Sequence, residues 1–326
     1  MKVSAAGRRF IVVGGAGFIG SHVVERLLKD RAAAVTVYDN FSSGRKWHLQ
    51  HGRIEPRLRI VRGDVADLPL LMKAMNGHDT AVHLASNPDI ARAAKDPEID
   101  FYQGTLLTQQ VLEAVRRCGV KRLWYASGSG VYGERGDAAV AENDGPFVPI
   151  STYGASKLAG EALIASYCAM FGITARAFRF GNVVGARQTH GVGLDFLRRL
   201  RLDSEKLRIL GDGNQSKPYI HVSDAVNAML LADESTEGGF AVFNVATTDA
   251  LRVEEIAVMA LRCLSLEGKA ALDYTGGDRG WKGDVPVVRL RTERIRALGW
   301  EPLLSSREAM SRALMEILAD ERTFWN

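Results

Sequence analysis

Phe10-Ile11-Val12-Val13-Gly14-Gly15-Ala16-Gly17-Phe18-Ile19-Gly20-Ser21 is the stretch that decides the fold. Its first four residues are apolar and strand-favouring, and the run is too short for a helix, so a buried strand is predicted. Gly14, Gly17 and Gly20 follow, with Phe18 and Ile19 between the last two. Apolar spacing at Val23, Val24, Leu27 and Leu28 then predicts a helix over Ser21 to Lys29. A strand, a glycine turn and a helix N-terminus together form an anion site, because free backbone N–H groups and the positive helix end face one point. The first glycine permits the turn, the second lets the backbone approach a pyrophosphate, and the third lets helix and strand pack closely. The spacing is G-x-x-G-x-x-G, not G-x-G-x-x-G, and glycines also mark ordinary turns. The rest of the chain therefore has to decide.

A second strand, Ala34 to Tyr38, ends at Asp39, nineteen positions beyond Gly20. A carboxylate there can accept hydrogen bonds from both ribose hydroxyls of adenosine and would repel a 2′-phosphate. No arginine follows at once, so NAD is favoured over NADP. Asn40, Ser43 and Gly44, in the turn after Asp39, belong with it as candidate cofactor contacts. Leu58 to Val61 is a third strand, followed by Gly63-Asp64-Val65, where Asp64 and Val65 would border the adenine. A helix over Leu68 to Met75 leads to a fourth strand, Thr80 to Ser86. Leu84, Ala85 and Ser86 at its end are small enough in sum for the backbone to lie against a flat cofactor. Strand–helix units in succession imply a parallel, doubly wound sheet.

A helix from Gly104 to Arg117 precedes the strand Arg122 to Ala126, which runs into Ser127-Gly128-Ser129-Gly130-Val131-Tyr132-Gly133. This polar turn again sits at a strand's C-terminal end, where open α/β sheets bind ligands. Tyr153-Gly154-Ala155-Ser156-Lys157 opens the next helix. Residues four apart face the same way, so the phenol and the ammonium can converge. The ammonium and the positive helix end are expected to favour the phenolate, giving a general acid/base for a hydroxyl proton.

Composition excludes several classes. Apolar and charged fractions of 46% and 25% are those of an ordinary globular protein. The formal net charge of +4 is small for 326 residues. Basic groups such as Arg198-Arg199-Leu200-Arg201 are read as solvated helix faces, so no nucleic-acid partner is expected. The three cysteines are scattered singly, which suits a reducing cytoplasm. No apolar run approaches the roughly 20 residues needed to span a bilayer, and no membrane partner is expected. The seven histidines show no metal-ligand spacing, so no metal is expected.

The set Gly14-x-x-Gly17-x-x-Gly20, Asp39, Gly63-Asp64-Val65, His83-Leu84-Ala85-Ser86, Val131-Tyr132-Gly133, Tyr153-x-x-x-Lys157 and Gly181-Asn182-Val183-Val184-Gly185 resembles the extended short-chain dehydrogenase/reductase superfamily. More narrowly it is similar to NAD-dependent nucleotide-sugar epimerases of the UDP-glucose 4-epimerase type. Gly211 to Val222 and Gly277 to Pro286 agree, so the similarity covers nearly the whole chain. The resemblance implies a Rossmann-type doubly wound α/β fold with a smaller mixed α/β C-terminal lobe for the substrate. Residues 1–182, joined by about 218–246, would bind NAD; residues 183–217 and 247–326 would hold the nucleotide sugar. It implies epimerisation at C4 through a 4-keto sugar, with Tyr153 and Lys157 catalytic, a UDP-sugar as substrate, and a homodimer built on helices near 104–117 and 153–170. Asn182 would contact the substrate diphosphate, Leu194 and Tyr219 would border the substrate, and Lys217, Arg279 and Lys282 would supply positive charge. The alternative for Arg279 and Lys282 is a solvated basic loop.

The chain departs from the family pattern at three points. Gly128 stands where a Ser or Thr is usual, so Ser127 or Ser129 would have to serve by a shift of the turn, or a water would. Phe101 stands where an Asn usually meets the pyrophosphate. Lys217 replaces an Arg, giving a point charge in place of a fork. Two competing readings are a 4,6-dehydratase or decarboxylase of the same family and a catalytically impaired NAD-binding protein. Ser129-Gly130, in place of an Asp-Glu pair, argues against the dehydratase, and retention of Tyr153 and Lys157 argues against the impaired protein.

Overall fold

The computed structural model describes residues 5–52, 55–87 and 90–324. The first half runs β1 (Arg9–Val13), α1 (Phe18–Lys29), β2 (Ala34–Asp39), β3 (Leu58–Arg62), α2 (Leu68–Met75), β4 (Thr80–His83), α3 (Leu107–Arg117), β5 (Arg122–Gly128), α4 (Thr152–Phe171) and β6 (Thr174–Phe180). The second half runs β7 (Asn182–Val184), α5 (Val192–Leu202), β8 (Lys206–Ile209), β9 (Ser216–Lys217), β10 (Tyr219–His221), α6 (Val222–Ser235) and β11 (Phe240–Val245). It continues with β12 (Leu251–Arg252), α7 (Val253–Cys263), β13 (Ala271–Tyr274), α8 (Glu293–Arg296) and α9 (Ser306–Leu318).

Seven strands form one sheet in the order β3-β2-β1-β4-β5-β6-β11, every neighbouring pair parallel. The alternation within β1 shows why its sequence is apolar throughout. Phe10 and Val12 pack into a core with α1 and α6, whereas Ile11 and Val13 enter the core on the other face with α2, α3 and α4. A sheet covered on both faces needs apolar residues at both parities. A third core, built from α5, α7 and α9 over β8, belongs to the smaller lobe. There β13 pairs in parallel with β8, β10 with β7, and β12 runs antiparallel to β9.

The strand order reverses at β1, which has β2 on one side and β4 on the other. This switch point opens a crevice beyond the strands' carboxyl ends. The backbone closes around it: Gly14 N–H donates to Tyr38 O at 2.9 Å, and Leu84 N–H and Ala85 N–H both donate to Val13 O, at 2.9 and 3.1 Å.

Four boundaries differ from the sequence expectation. Helix α1 starts at Phe18, inside the glycine turn, because Gly17 in extended geometry serves as its N-cap. Strand β4 stops at His83, so Leu84 to Ser86 leave the sheet as irregular backbone. The helix expected from Gly104 is split: a π-helical turn, Phe101–Leu106, precedes α3. Strand β5 runs on past Ala126 to Gly128, so Ser127 and Gly128 pair within the sheet.

A close backbone contact lies within the glycine turn. A Cβ at Gly20 would sit 2.2 Å from the Gly14 carbonyl oxygen, a backbone atom that cannot yield alone. Gly20→Ala is therefore expected to destabilise the fold by about 1–3 kcal/mol, read as a lower midpoint in thermal or denaturant unfolding. An unchanged midpoint would contradict the packing described.

Candidate active site

The crevice is lined first by backbone. Helix α1 has no side-chain cap and no acidic residue in its first turn, so nothing of its own neutralises the positive end formed by Gly17, Phe18, Ile19 and Gly20. Gly14, at φ +83°, lies so close to the segment after β4 that a Cβ would meet Ala85 N at 2.6 Å. Asp39 is buried at the end of β2. One of its oxygens accepts from Ala16 N–H and the other from Phe41 N–H, both at 2.8 Å. Burial nevertheless pushes its pKa above the usual carboxylate range, the two backbone donors opposing that shift. A carboxylate has about four acceptor positions, so two remain for a diol. Gly44 packs on the same carboxylate, where a Cβ would come 2.9 Å from Asp39 Oδ1. Farther along the edge, Asn40 Nδ2 donates to Asp64 Oδ2 at 2.8 Å, and Ala66 N–H donates to Asp64 Oδ1 at 2.9 Å. Asp64 is exposed and Val65 buried behind it, while Ser43 is half-buried on the turn after β2.

Across the crevice, Ser151 caps α4 by accepting Gly154 N–H at 3.1 Å. Gly154 is required there, since a Cβ would lie 2.5 Å from Gly130 O. Tyr153, Lys157 and Glu161 follow at intervals of four along one face of this helix. Lys157 Nζ donates to Ala126 O at 2.9 Å and stands 5.4 Å from the centre of the Tyr153 ring. The Tyr153 phenol and the Ser86 hydroxyl share a hydrogen bond.

The protonation of this pair runs against the sequence expectation. Burial, then the charge of Asp100, pushes the Tyr153 phenol up to about 12, while the Ser86 hydrogen bond works the other way. Burial pulls Lys157 down to about 8, opposed by Asp100 and Glu161. The ammonium is spent on a backbone carbonyl, so among these protein groups desolvation outweighs it.

Ser127 is not at the mouth of the crevice. Its buried hydroxyl donates to Glu161 Oε1 at 2.5 Å. Glu161 also pairs with Arg179 at 2.6 Å, and both side chains are buried. Arg179 donates to the Tyr132 phenol oxygen at 2.9 Å and to Glu142 O at 3.0 Å, and Tyr132 donates to Asn244 Oδ1 at 2.7 Å. The predicted catalytic hydroxyl thus belongs to a polar network that fixes the 129–133 turn on β5, β6 and β11. Ser129 is half-buried at the start of that turn. Gly128 has extended backbone, φ −160°, and a Cβ there would meet nothing within 4 Å. The hydroxyl that does meet Tyr153 is that of Ser86, for which the sequence signals only small size beside a cofactor. Glu161 was legible as the next step of the four-residue spacing from Tyr153 and Lys157. Asp100 carried no sequence signal.

On the smaller-lobe side, Asn182 begins β7 and hydrogen-bonds the buried Tyr219, whose phenol is pushed upward chiefly by burial. Lys217 Nζ pairs with Asp284 Oδ1 at 2.5 Å. Arg279 pairs with Glu134, in the loop after Gly133, at 2.7 Å, and donates to Asp284 O at 3.1 Å. Lys282 is exposed. Leu194 is 0% exposed within the smaller lobe's core, so its side chain is not presented to a ligand. Phe101 is 55% exposed in the π turn, where Gly104 is the residue pressed on α4: a Cβ would lie 2.5 Å from Ser156 Oγ.

The model of the NAD dependent epimerase/dehydratase family matches residues 10–246. The chain is 30% identical over 311 residues to a UDP-glucose 4-epimerase of Corynebacterium glutamicum, covering 90% of this chain and 91% of the relative. Among solved structures, a UDP-galactose 4-epimerase superposes with a TM-score of 0.83 at 35% identity, over 95% of this chain and 99% of that one. A dTDP-glucose 4,6-dehydratase of Streptomyces venezuelae, solved with NAD bound, gives 0.87 at 27% identity, over 96% and 98%. The chain belongs to the NAD-dependent epimerase/dehydratase family, and NAD is its cofactor. The residues present fit that group: the uncapped N-terminus of α1 suits a pyrophosphate, and Asp39 keeps acceptor positions for a ribose diol.

Removing one partner of the buried Glu161–Arg179 pair leaves an uncompensated charge. Glu161→Ala is expected to cost about 3–5 kcal/mol of stability. A chemical-denaturation midpoint close to wild type would show that the pair is dispensable.

Proposed function

We propose that the chain is a nucleotide-sugar 4-epimerase that interconverts UDP-glucose and UDP-galactose with tightly held NAD. The observation that carries this reading is the placement of Tyr153 and Lys157 on one face of α4, beside the crevice at the β1–β4 switch point. Tyr153 takes the proton of the sugar 4-hydroxyl and returns it after the sugar has turned over, with Ser86 sharing the phenol's hydrogen bond. When bound, NAD supplies the acceptor and donor of the C4 hydride. Lys157 reaches a ribose hydroxyl of the cofactor. Gly14, Gly17, Phe18, Ile19 and Gly20 hold the pyrophosphate, and Asp39, with Asn40, Ser43 and Gly44 around it, holds the adenosine ribose. Asp64 and Val65 border the adenine, and Leu84 to Ser86 flank the nicotinamide side.

The 4-keto sugar must be retained between the two hydride transfers, so the site has to hold the diphosphate while the ring turns. Asn182, Lys217, Tyr219, Arg279 and Lys282 serve that purpose. For Lys217 and Arg279 this is an exchange of partners, from Asp284 and Glu134 to phosphate oxygens. Residues 1–182 with 218–246 form the cofactor-binding part and the remainder the substrate-binding part. Two copies associate through α3 and α4; in the π turn ahead of α3 Phe101 and Tyr102 are each 55% exposed, and Met170 of α4 is 71% exposed. The cysteines among the described residues are all free, in keeping with work in a reducing cytoplasm.

Incubation with a panel of UDP-, dTDP-, GDP- and CDP-sugars is expected to give the C4 epimer of a UDP-hexose with no net consumption of added NAD. Tyr153→Phe should lower turnover about 10²–10⁴-fold while the protein still co-purifies with NAD. A 4-keto-6-deoxy product would overturn the epimerase reading, and near-wild-type turnover in Tyr153→Phe would overturn the assigned proton carrier.

A further inference from the structure

Asp100 lies just ahead of the π turn and is 1% exposed. An aspartate in that place ordinarily caps the helix that follows, yet this one makes no cap hydrogen bond. Its oxygens are used elsewhere. Asn87 Nδ2 donates to Oδ1 at 2.8 Å, and Thr152 Oγ1 donates to Oδ2 at 2.7 Å. Asn87 is the residue after Ser86, and Thr152 is the residue before Tyr153. One carboxylate therefore ties together the segment beyond β4 and the first turn of α4, the two segments whose neighbouring side chains share the Ser86–Tyr153 hydrogen bond. Both donors are neutral, so among the described residues no cation bonds this buried negative charge directly, an arrangement that opposes folding.

We propose that Asp100 is a positioning residue for Tyr153, bracing the end of β4 against the start of α4 so that the Ser86 hydroxyl and the phenol meet, and placing a fixed negative charge beside them. The inference rests on Tyr153 as the proton carrier of the proposed epimerisation. The groups around the phenol are few. Asp100 faces it from the segment before α3, Ser86 from the end of β4, Tyr125 from β5 and Lys157 from the next turn of α4. Glu161 acts on Lys157 from farther along α4, and Lys157 in turn helps burial keep His83 of β4 neutral. Asp100 is the carboxylate that opposes ionisation of the phenol, after burial itself. The sign follows: without that charge the phenolate forms at lower pH. Turnover that rises as Tyr153 deprotonates then has its acid limb displaced towards lower pH.

Two variants separate the charge from the brace. Asp100→Asn keeps the shape, since its carbonyl oxygen can accept from Asn87 and its amide can donate to the Thr152 hydroxyl, but it removes the charge. Thr152→Val cuts one tie at an exposed helix position and leaves the charge in place. Ionisation of Tyr153 is read by ultraviolet difference titration of the NAD-loaded protein, using Tyr153→Phe as the subtraction, which needs no turnover. In Asp100→Asn the Tyr153 midpoint and the acid limb of kcat are expected to fall by about one pH unit, with KM within about two-fold of wild type. In Thr152→Val the midpoint should stay in place while kcat drops about ten-fold, at similar KM. An unmoved midpoint in Asp100→Asn overturns the role of the charge, and wild-type kcat in Thr152→Val overturns the brace. If the wild-type protein turns over no sugar, the epimerase reading fails, and the titration still decides what Asp100 does to Tyr153. Should Asp100→Asn not fold, Thr152→Val alone tests the brace.

Discussion

The approach of backbone to backbone around Gly14 governs the molecule. Gly20 lies against its carbonyl and Ala85 against its α-carbon, so β1, α1 and the segment after β4 meet at one residue. This meeting is possible only where side chains are missing. It also leaves the first N–H groups of α1 facing the crevice without a cap. The anion site and the packing of the sheet are thus one arrangement seen from two sides. The cofactor's position then determines where a substrate hydroxyl has to be, and α4 supplies Tyr153 and Lys157 on that side.

Much of this was legible in the sequence. The glycine turn with Asp39 gave the parallel sheet, its switch point and the dinucleotide site, because strand periodicity, glycine spacing and a carboxylate at the next strand's end are local features with fixed geometry. The spacing of Tyr153 and Lys157 gave the second wall, because helical periodicity places residues four apart on one face. Family membership follows from the same residues and is matched over residues 10–246.

What the sequence did not disclose concerns long-range choices. Ser127 and Ser86 are both serines at the ends of strands, and no pattern says which points to Tyr153. The answer depends on strand parity and on Glu161, which draws Ser127 into the buried network with Arg179. The proton affinity of Tyr153 departs from the sequence expectation for a related reason. A nearby lysine suggests a lowered phenol, but Lys157 bonds the Ala126 carbonyl and burial wins. Asp100 is invisible in one dimension, because its significance lies in bridging residues 87 and 152. Leu194 likewise resolves into core packing once α5 is seen against α7 and α9.

Gly128 stands apart from the other glycines of the site. At Gly14, Gly20 and Gly154 the absence of a side chain is a condition of folding, so chemistry and stability cannot be altered separately there. At Gly128 the backbone is extended and the space beyond it is open. A Cβ can be added there without strain or collision. The crevice therefore contains one position at which its chemistry is free to diverge, by descent or by design, while the fold that presents it stays the same.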